Sequence, residues 1–114
     1  MDLRDLAVRV DHAPTVMDAV DELRVARALM RIPAERIVQD WDAFDAITGH
    51  LYESHTDSFY EVTPDVLPQF RTFARWLHRL ADQATGERAA WLHQLAEHFT
   101  IDPRRVGAAP SSPQ

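Results

Sequence analysis

Two stretches, Trp76–Ala81 (WLHRLA) and Trp91–Ala96 (WLHQLA), repeat one motif and decide the fold of this chain. In each copy the tryptophan, the next leucine and the leucine three positions further on share one face of a helix. The segment between the copies contains Gly86, a residue type that readily interrupts a helix. The pattern therefore predicts a C-terminal helical hairpin whose apolar faces need a partner, either the N-terminal half or a second chain.

The N-terminal half is predicted to form three further helices. The first is short and ends near His12. The second opens at Thr15, which is expected to cap it, and runs to about Arg31. The third begins at Pro33, since proline suits the first turn of a helix, and runs to about Ser54. With the hairpin, this gives a bundle of about five helices.

Apolar side chains at helical spacing define the expected core. The second helix is predicted to direct inward Val16, Ala19, Val20, Leu23, Ala26 and Met30. The third carries Ile37, Trp41, Phe44, Ile47, Thr48 and Leu51. The fourth, opening at Thr63-Pro64, carries Val66, Phe70, Phe73, Leu77, Leu80 and Ala81, and the fifth carries Trp91, Leu92, Leu95 and Phe99. We therefore expect an all-α single domain, residues 1–106, and a short flexible tail, residues 107–114.

Composition excludes several classes of function. The chain has 114 residues, a mass of 13.0 kDa, a net charge of -6 and a pI near 5.4. This acidic balance disfavours nucleic acid as a partner, because recognition of nucleic acid draws on a basic surface. The absence of cysteine excludes disulfides, thiolate metal sites and cysteine nucleophiles. No secretory signal or long apolar segment is visible, so a cytoplasmic location without membrane association is expected.

A row of arginines and several aromatic residues are the candidate binding residues. Arg71, Arg75 and Arg79 repeat every four positions, opposite the apolar stripe of the fourth helix. This row is a solvated face, or it pairs with Asp42 and Asp45 of the third helix, or it is a surface for an acidic partner or an anionic ligand. Aromatic residues can lie in the core or act as interface anchors. Candidate anchors are Trp76, Tyr52 and Tyr60.

Histidine–carboxylate pairs raise the question of a metal site. His50 and Glu53 are three positions apart, and His93 and Glu97 are four apart. Metal sites in helical bundles use such spacing but need ligands from several helices that point inward. His93 and Glu97 are predicted to face outward, and no ligand set of a specific metal is present. We therefore expect no metal and no cofactor.

The segment Gly86–His93 places an arginine and a histidine with four residues between them. It resembles the Arg-x4-His signature of HEPN ribonucleases, small all-α proteins that dimerise around this motif, and Ile47–Leu51 resembles the helix before it. The resemblance implies metal-independent RNA cleavage by Arg88 and His93. Ala89 departs from the polar residue that often follows the arginine. Helical geometry separates the two side chains, so they would converge only across a dimer groove.

The segment Leu95–Pro103 resembles the last part of phage-repressor-like helix-turn-helix domains and implies a transcriptional regulator. No recognition helix is visible before it, and the acidic net charge opposes DNA binding. The residues favour a third function, a non-catalytic helical protein-interaction module of the regulatory, adaptor, antitoxin, immunity or accessory-subunit type. Its expected partner is a second copy of the chain, another protein, or both.

Overall fold

The computed structural model describes residues 2–58 and 63–100, and within these ranges it contains six helices and no strand. The helices are α1 (Leu3–Asp11), α2 (Ala19–Met30), α3 (Ala34–Val38), α4 (Trp41–Asp57), α5 (Leu67–Ala81) and α6 (Gly86–Phe99). The all-α prediction is confirmed. The predicted tail, residues 107–114, lies outside the described residues.

Helices α5 and α6 form the predicted C-terminal hairpin, and their contact is the most extensive between any two helices. Leu77 and Leu80 on α5, and Leu92 and Leu95 on α6, are all buried. Gly86 begins α6 with a φ of +57°, a left-handed conformation that glycine adopts without a steric penalty. The glycine between the two motif copies therefore allows the chain to reverse direction.

The apolar stripe of α4 packs inside the same chain. Phe44, Ile47 and Leu51 are buried, and the half-buried Trp41 ring meets Phe44 edge-on at a centroid distance of 5.4 Å. Helix α1 covers much of α4, and α2 packs against α4 and α5. The apolar stripes that were expected to need a partner are thus covered within one chain. The homodimer stays a prediction, and it would have to form through another surface.

The prediction of one continuous third helix is wrong, because the helix is interrupted between α3 and α4. Asp40 has non-helical backbone angles, and its carboxylate accepts a hydrogen bond from the Ala43 N–H at 3.3 Å. An aspartate in this position caps the free N–H groups at the start of a helix. The apolar stripe survives the break because Ile37 on α3 is still fully buried.

The predicted start of the second helix is wrong, and its predicted inward face is right at Leu23 and Ala26 but wrong at its N-terminal end. Asp18, rather than Thr15, caps α2 by accepting a hydrogen bond from the Asp21 N–H at 2.8 Å. Val16 and Val20 were predicted to point inward but are 47% and 55% exposed. The buried residues of α2 are Glu22, Leu23, Ala26 and Leu29. The helix is therefore rotated relative to the prediction, and a carboxylate lies in the core.

The fourth predicted helix begins later than expected. The N–H groups of Val66 and Leu67 both donate to the carbonyl of Thr63 at 3.1 Å, so Thr63 opens a turn that precedes the helix. The proline in the first helical turn is Pro68 rather than Pro64. Proline is favoured there because its missing N–H would have no partner within the helix.

Candidate interaction groove

A groove lined by apolar and charged side chains lies between α1 and α2 and has a volume of about 590 Å³. Its floor combines Leu6 and Val10 from α1 with Met17 from the segment that joins the helices, and all three side chains are buried. Val25 and Ala28 from α2 form its half-buried wall. A concavity of this size and apolarity suits a small ligand or the side chains of a partner protein.

Exposed arginines surround this groove. They are Arg9, Arg24, Arg27 and Arg31. Asp21 is the single carboxylate among the lining residues, and it accepts a hydrogen bond from Arg24 Nη1 at 2.9 Å. Arg27 donates to the side-chain oxygen of the neutral Gln69. Four arginines against one aspartate leave a net charge of +3 around the groove, although the whole chain carries -6.

One exposed face of α2 extends this groove outward. Val20, Arg24, Arg27 and Arg31 follow each other at four-, three- and four-residue steps, so they lie along the same side of the helix. Val20 is more than half exposed, and it places an apolar side chain at the N-terminal end of an otherwise basic row. The row thus presents apolar and positive chemistry side by side.

A buried polar cluster fixes α2 against α4. The Glu22 side chain is only 1% exposed. Its Oε1 accepts a hydrogen bond from His55 Nδ1 at 2.8 Å, and its Oε2 accepts from the hydroxyls of Ser54 at 2.9 Å and Ser58 at 3.1 Å. Several hydrogen bonds to charged groups are needed to compensate for burying a carboxylate. The cluster therefore holds α2 in one rotational setting.

The same cluster positions the segment between α1 and α2. The Met17 N–H donates to Ser54 Oγ at 2.7 Å, and the half-buried His50 donates from Nε2 to the Pro14 carbonyl at 2.9 Å. Both bonds tie the groove's connecting segment to α4. The groove is therefore built on a framework that is fixed by hydrogen bonds as well as by apolar packing.

Sequence reasoning missed this cluster, although a signal for it was present. The α4 stripe continues past Leu51 to Ser54, His55 and Ser58 at helical spacing. Polar residues on an inward face need a buried polar partner, because an unpaired buried hydroxyl or imidazole is costly. A carboxylate on a facing helix was therefore to be expected, and Glu22 supplies it.

The cluster contains a serine, a histidine and a carboxylate but is not arranged for nucleophilic catalysis. Ser54 Oγ donates its proton to Glu22 and accepts from Met17 N–H, so its proton is not directed to the His55 ring. Nucleophilic serines require a base that accepts the hydroxyl proton and an exposed oxygen. Ser54 is fully buried, and His55 is 3% exposed.

The predicted arginine row lies on the outer face of α5. Arg71, Arg75 and Arg79 are all exposed. In the described ranges no carboxylate lies within 4.0 Å of any of them, and Arg75 Nη2 donates to Thr72 Oγ1 at 3.2 Å. The arginine row therefore makes no ion pair with Asp42 or Asp45.

The predicted aromatic anchors have different surroundings. Trp76 is half-buried, and its ring stacks on Phe73 at a centroid distance of 5.8 Å. Tyr52 is 38% exposed, and its ring stacks on His98 at 4.1 Å. Tyr60 lies outside the described residues. Trp76 thus contributes mainly to packing within the chain, and Tyr52 keeps an accessible edge.

Arg88 contacts α4. Its Nη2 lies 3.0 Å from Asp45 Oδ2, its Nη1 donates to Asp45 Oδ1, and its guanidinium carbon lies 4.5 Å from the centre of the Trp41 ring. Hydrogen bonding to Asp45 raises the pKa of Arg88 above its ordinary value, against a smaller opposing effect of burial. Arg88 is therefore a fixed cation in a bidentate ion pair that is stacked on an indole.

His93 instead contacts α5. It is exposed, its Nδ1 lies 2.8 Å from His78 Nδ1, and His78 Nε2 lies 3.4 Å from a Glu97 carboxylate oxygen. Because Arg88 is engaged on α4, the structure does not bring Arg88 and His93 together within one chain. Among the residues that the structure describes, no three histidine, aspartate or glutamate side chains are arranged to hold a metal ion.

Comparison of the chain with protein-family models, with curated proteins and with solved structures found no match. In the described ranges no helix is both long enough and apolar enough to cross a membrane.

Proposed function

We propose that this chain is a non-catalytic protein-interaction module that holds a segment of a partner protein in the groove between α1 and α2. The observation that carries the proposal is the combination of an apolar floor with a basic rim in a groove of about 590 Å³. Interfaces of this type use a desolvated apolar centre for affinity and charged rim residues for orientation.

The framework below the groove supports a binding role. Glu22, Ser54, His55 and Ser58 fix the rotation of α2, and Ser54 also holds Met17 in the floor. A pre-formed groove binds more tightly than one that must first be ordered, because less conformational entropy is lost on binding. The cluster thus gives a structural reason for burying the Glu22 carboxylate.

The surroundings of the candidate catalytic residues support the non-catalytic part of the proposal. General acid–base catalysis needs its groups within hydrogen-bond reach of one substrate, directly or through one water. Arg88 is held by Asp45 and Trp41 on one side of α6, whereas His93 meets His78 on the other. A HEPN-like mechanism would require Arg88 to leave this ion pair.

The proposal is tested by filling the groove. Peptides that bind the purified chain are selected from a displayed random library, and their binding sites are mapped by NMR chemical-shift changes. Ala28→Trp places an indole in the groove wall, and we expect it to abolish binding of the selected peptides. Ala90→Trp is the matched control, because Ala90 is an exposed alanine on α6, a helix that does not line the groove.

Three results would contradict the proposal. The first is a selection that yields no binder. The second is shift changes that avoid α1 and α2. The third is equal binding by the parent chain and the Ala28→Trp variant. Circular dichroism of both tryptophan variants establishes that a loss of binding is not a loss of fold.

A further inference from the structure

On the basis of the proposed docking function, we infer that the partner segment is an acidic amphipathic helix. The groove carries a net charge of +3, from four arginines and one aspartate, in a chain whose total charge is -6. Positive charge is therefore concentrated at this groove against the balance of the molecule. Such an arrangement attracts negatively charged partners and repels positively charged ones.

The arginines are available for a partner to different degrees. Arg24 is shared with Asp21, and Arg27 donates to a neutral amide. Arg9 and Arg31 make no ion pair with any residue in the described ranges. Both are exposed, so their guanidinium groups can each bind a partner carboxylate in a bidentate manner.

The apolar floor distinguishes a helix from a purely anionic ligand. Leu6, Val10 and Met17 form the buried base of the groove. The apolar surface that is open to a partner comes from the half-buried Val25 and Ala28 and from the exposed Val20 on the outer face of α2. A nucleic-acid backbone gains nothing from such a floor, because phosphate contacts are electrostatic. An amphipathic helix uses both features, since its apolar face enters the groove and its acidic flanks meet the arginines.

The length of α2, which forms one wall of the groove, sets the length of the segment. Helix α2 has 12 residues, which corresponds to a length of about 18 Å. A bound helix that runs along it therefore needs about three to four turns, with apolar residues at steps of three and four. The chain's own residues 101–114 do not suit the site, because they contribute Arg104 and Arg105 against the single Asp102.

The test uses three designed peptides of equal length, each labelled for fluorescence anisotropy. One is a helix with a leucine face and glutamate flanks. The second is its twin with lysine in place of glutamate, and the third has the acidic composition in scrambled order. We expect the acidic helix to bind at least about tenfold more tightly than either of the others, and its affinity to fall as salt is raised.

Charge reversal locates the binding. The Arg24→Glu/Arg31→Glu variant is expected to lose at least about tenfold in affinity for the acidic helix and to gain affinity for the lysine twin. The matched control is Arg4→Glu/Arg36→Glu, which reverses two exposed arginines that do not line the groove and should leave affinity for the acidic helix within about twofold. Circular dichroism establishes that both variants fold.

The remaining outcomes separate this inference from the docking proposal. If the glutamate and lysine helices bind equally well and compete with each other for the groove, the docking proposal stands and the inference of an acidic partner is overturned. Binding of a single-stranded RNA oligonucleotide that is lost in Arg24→Glu/Arg31→Glu, without binding of any helix, would overturn both in favour of nucleic acid. Self-association that the acidic helix fails to disrupt, together with no peptide binding, would assign the groove to a second copy and overturn the inference.

Discussion

Replacing Glu22 with leucine is expected to destabilise the fold strongly, although leucine is apolar and similar in size. The carboxylate accepts hydrogen bonds from His55 Nδ1, Ser54 Oγ and Ser58 Oγ at 2.8, 2.9 and 3.1 Å. Leucine would remove the carboxylate to which the buried Ser54 and His55 donate, whereas the Ser58 hydroxyl also lies within reach of the Ser54 carbonyl. Leaving a buried polar group without its hydrogen-bond partner typically costs about 1–3 kcal/mol of unfolding free energy per group, and more where a charged group is involved.

This loss is a large fraction of the stability of a small domain, which is about 5–15 kcal/mol. We therefore expect Glu22→Leu to lower the melting temperature by on the order of 10–20 °C and to shift the urea midpoint in proportion. Glu53→Leu is the control, because Glu53 is an exposed glutamate on α4 beside Ser54. Its effect should stay within about 0.5 kcal/mol, as for most surface substitutions.

The double variant Glu22→Leu/His55→Leu tests whether the cost comes from the loss of the Glu22–His55 hydrogen bond. Removing both partners of a buried pair is usually less costly than removing one, so the double variant should be more stable than the sum of the single changes implies. A Glu22→Leu variant as stable as the parent would refute the reasoning. Strict additivity of the two changes would refute the direct pairing of Glu22 and His55.

Four further predictions concern the core, the tail, the oligomeric state and RNA. Trp41→Ala and Leu77→Ala should each lower the unfolding free energy by about 2–5 kcal/mol in thermal melts, with Leu77 at the upper end because it is fully buried; two parent-like melts would contradict the core assignment. Removing residues 107–114 should leave the melting temperature unchanged, because this segment has no apolar periodicity; a clear drop would show that it packs on the domain. Light scattering is expected to give twice the chain mass of 13.0 kDa; a concentration-independent value near the single-chain mass would exclude the dimer. Incubation with structured and single-stranded RNA should give no cleavage; cleavage that disappears in His93→Ala would favour the ribonuclease instead.

Local sequence pattern was sufficient for most of the helices. The α5 stripe of Phe70, Phe73, Leu77 and Leu80 is buried as predicted, because residues three and four apart share a face in any α-helix. The position of the reversal before α6 followed from Gly86 alone, since its left-handed φ is a property of one residue. These features depend on interactions within one or two helical turns.

The inward face of α2 was decided only by the tertiary structure. Its sequence offers two apolar stripes, one through Val20 and one through Leu29, and a helix of 12 residues is too short for periodicity alone to choose between them. The choice follows from three donors that lie 32 to 36 residues away, which hold Glu22 in the core. A carboxylate can be buried only where such partners compensate for its lost hydration. The same rotation leaves Val20 and the arginines of α2 exposed. The groove therefore depends on contacts between helices that are distant in sequence, and local sequence periodicity does not reveal such contacts.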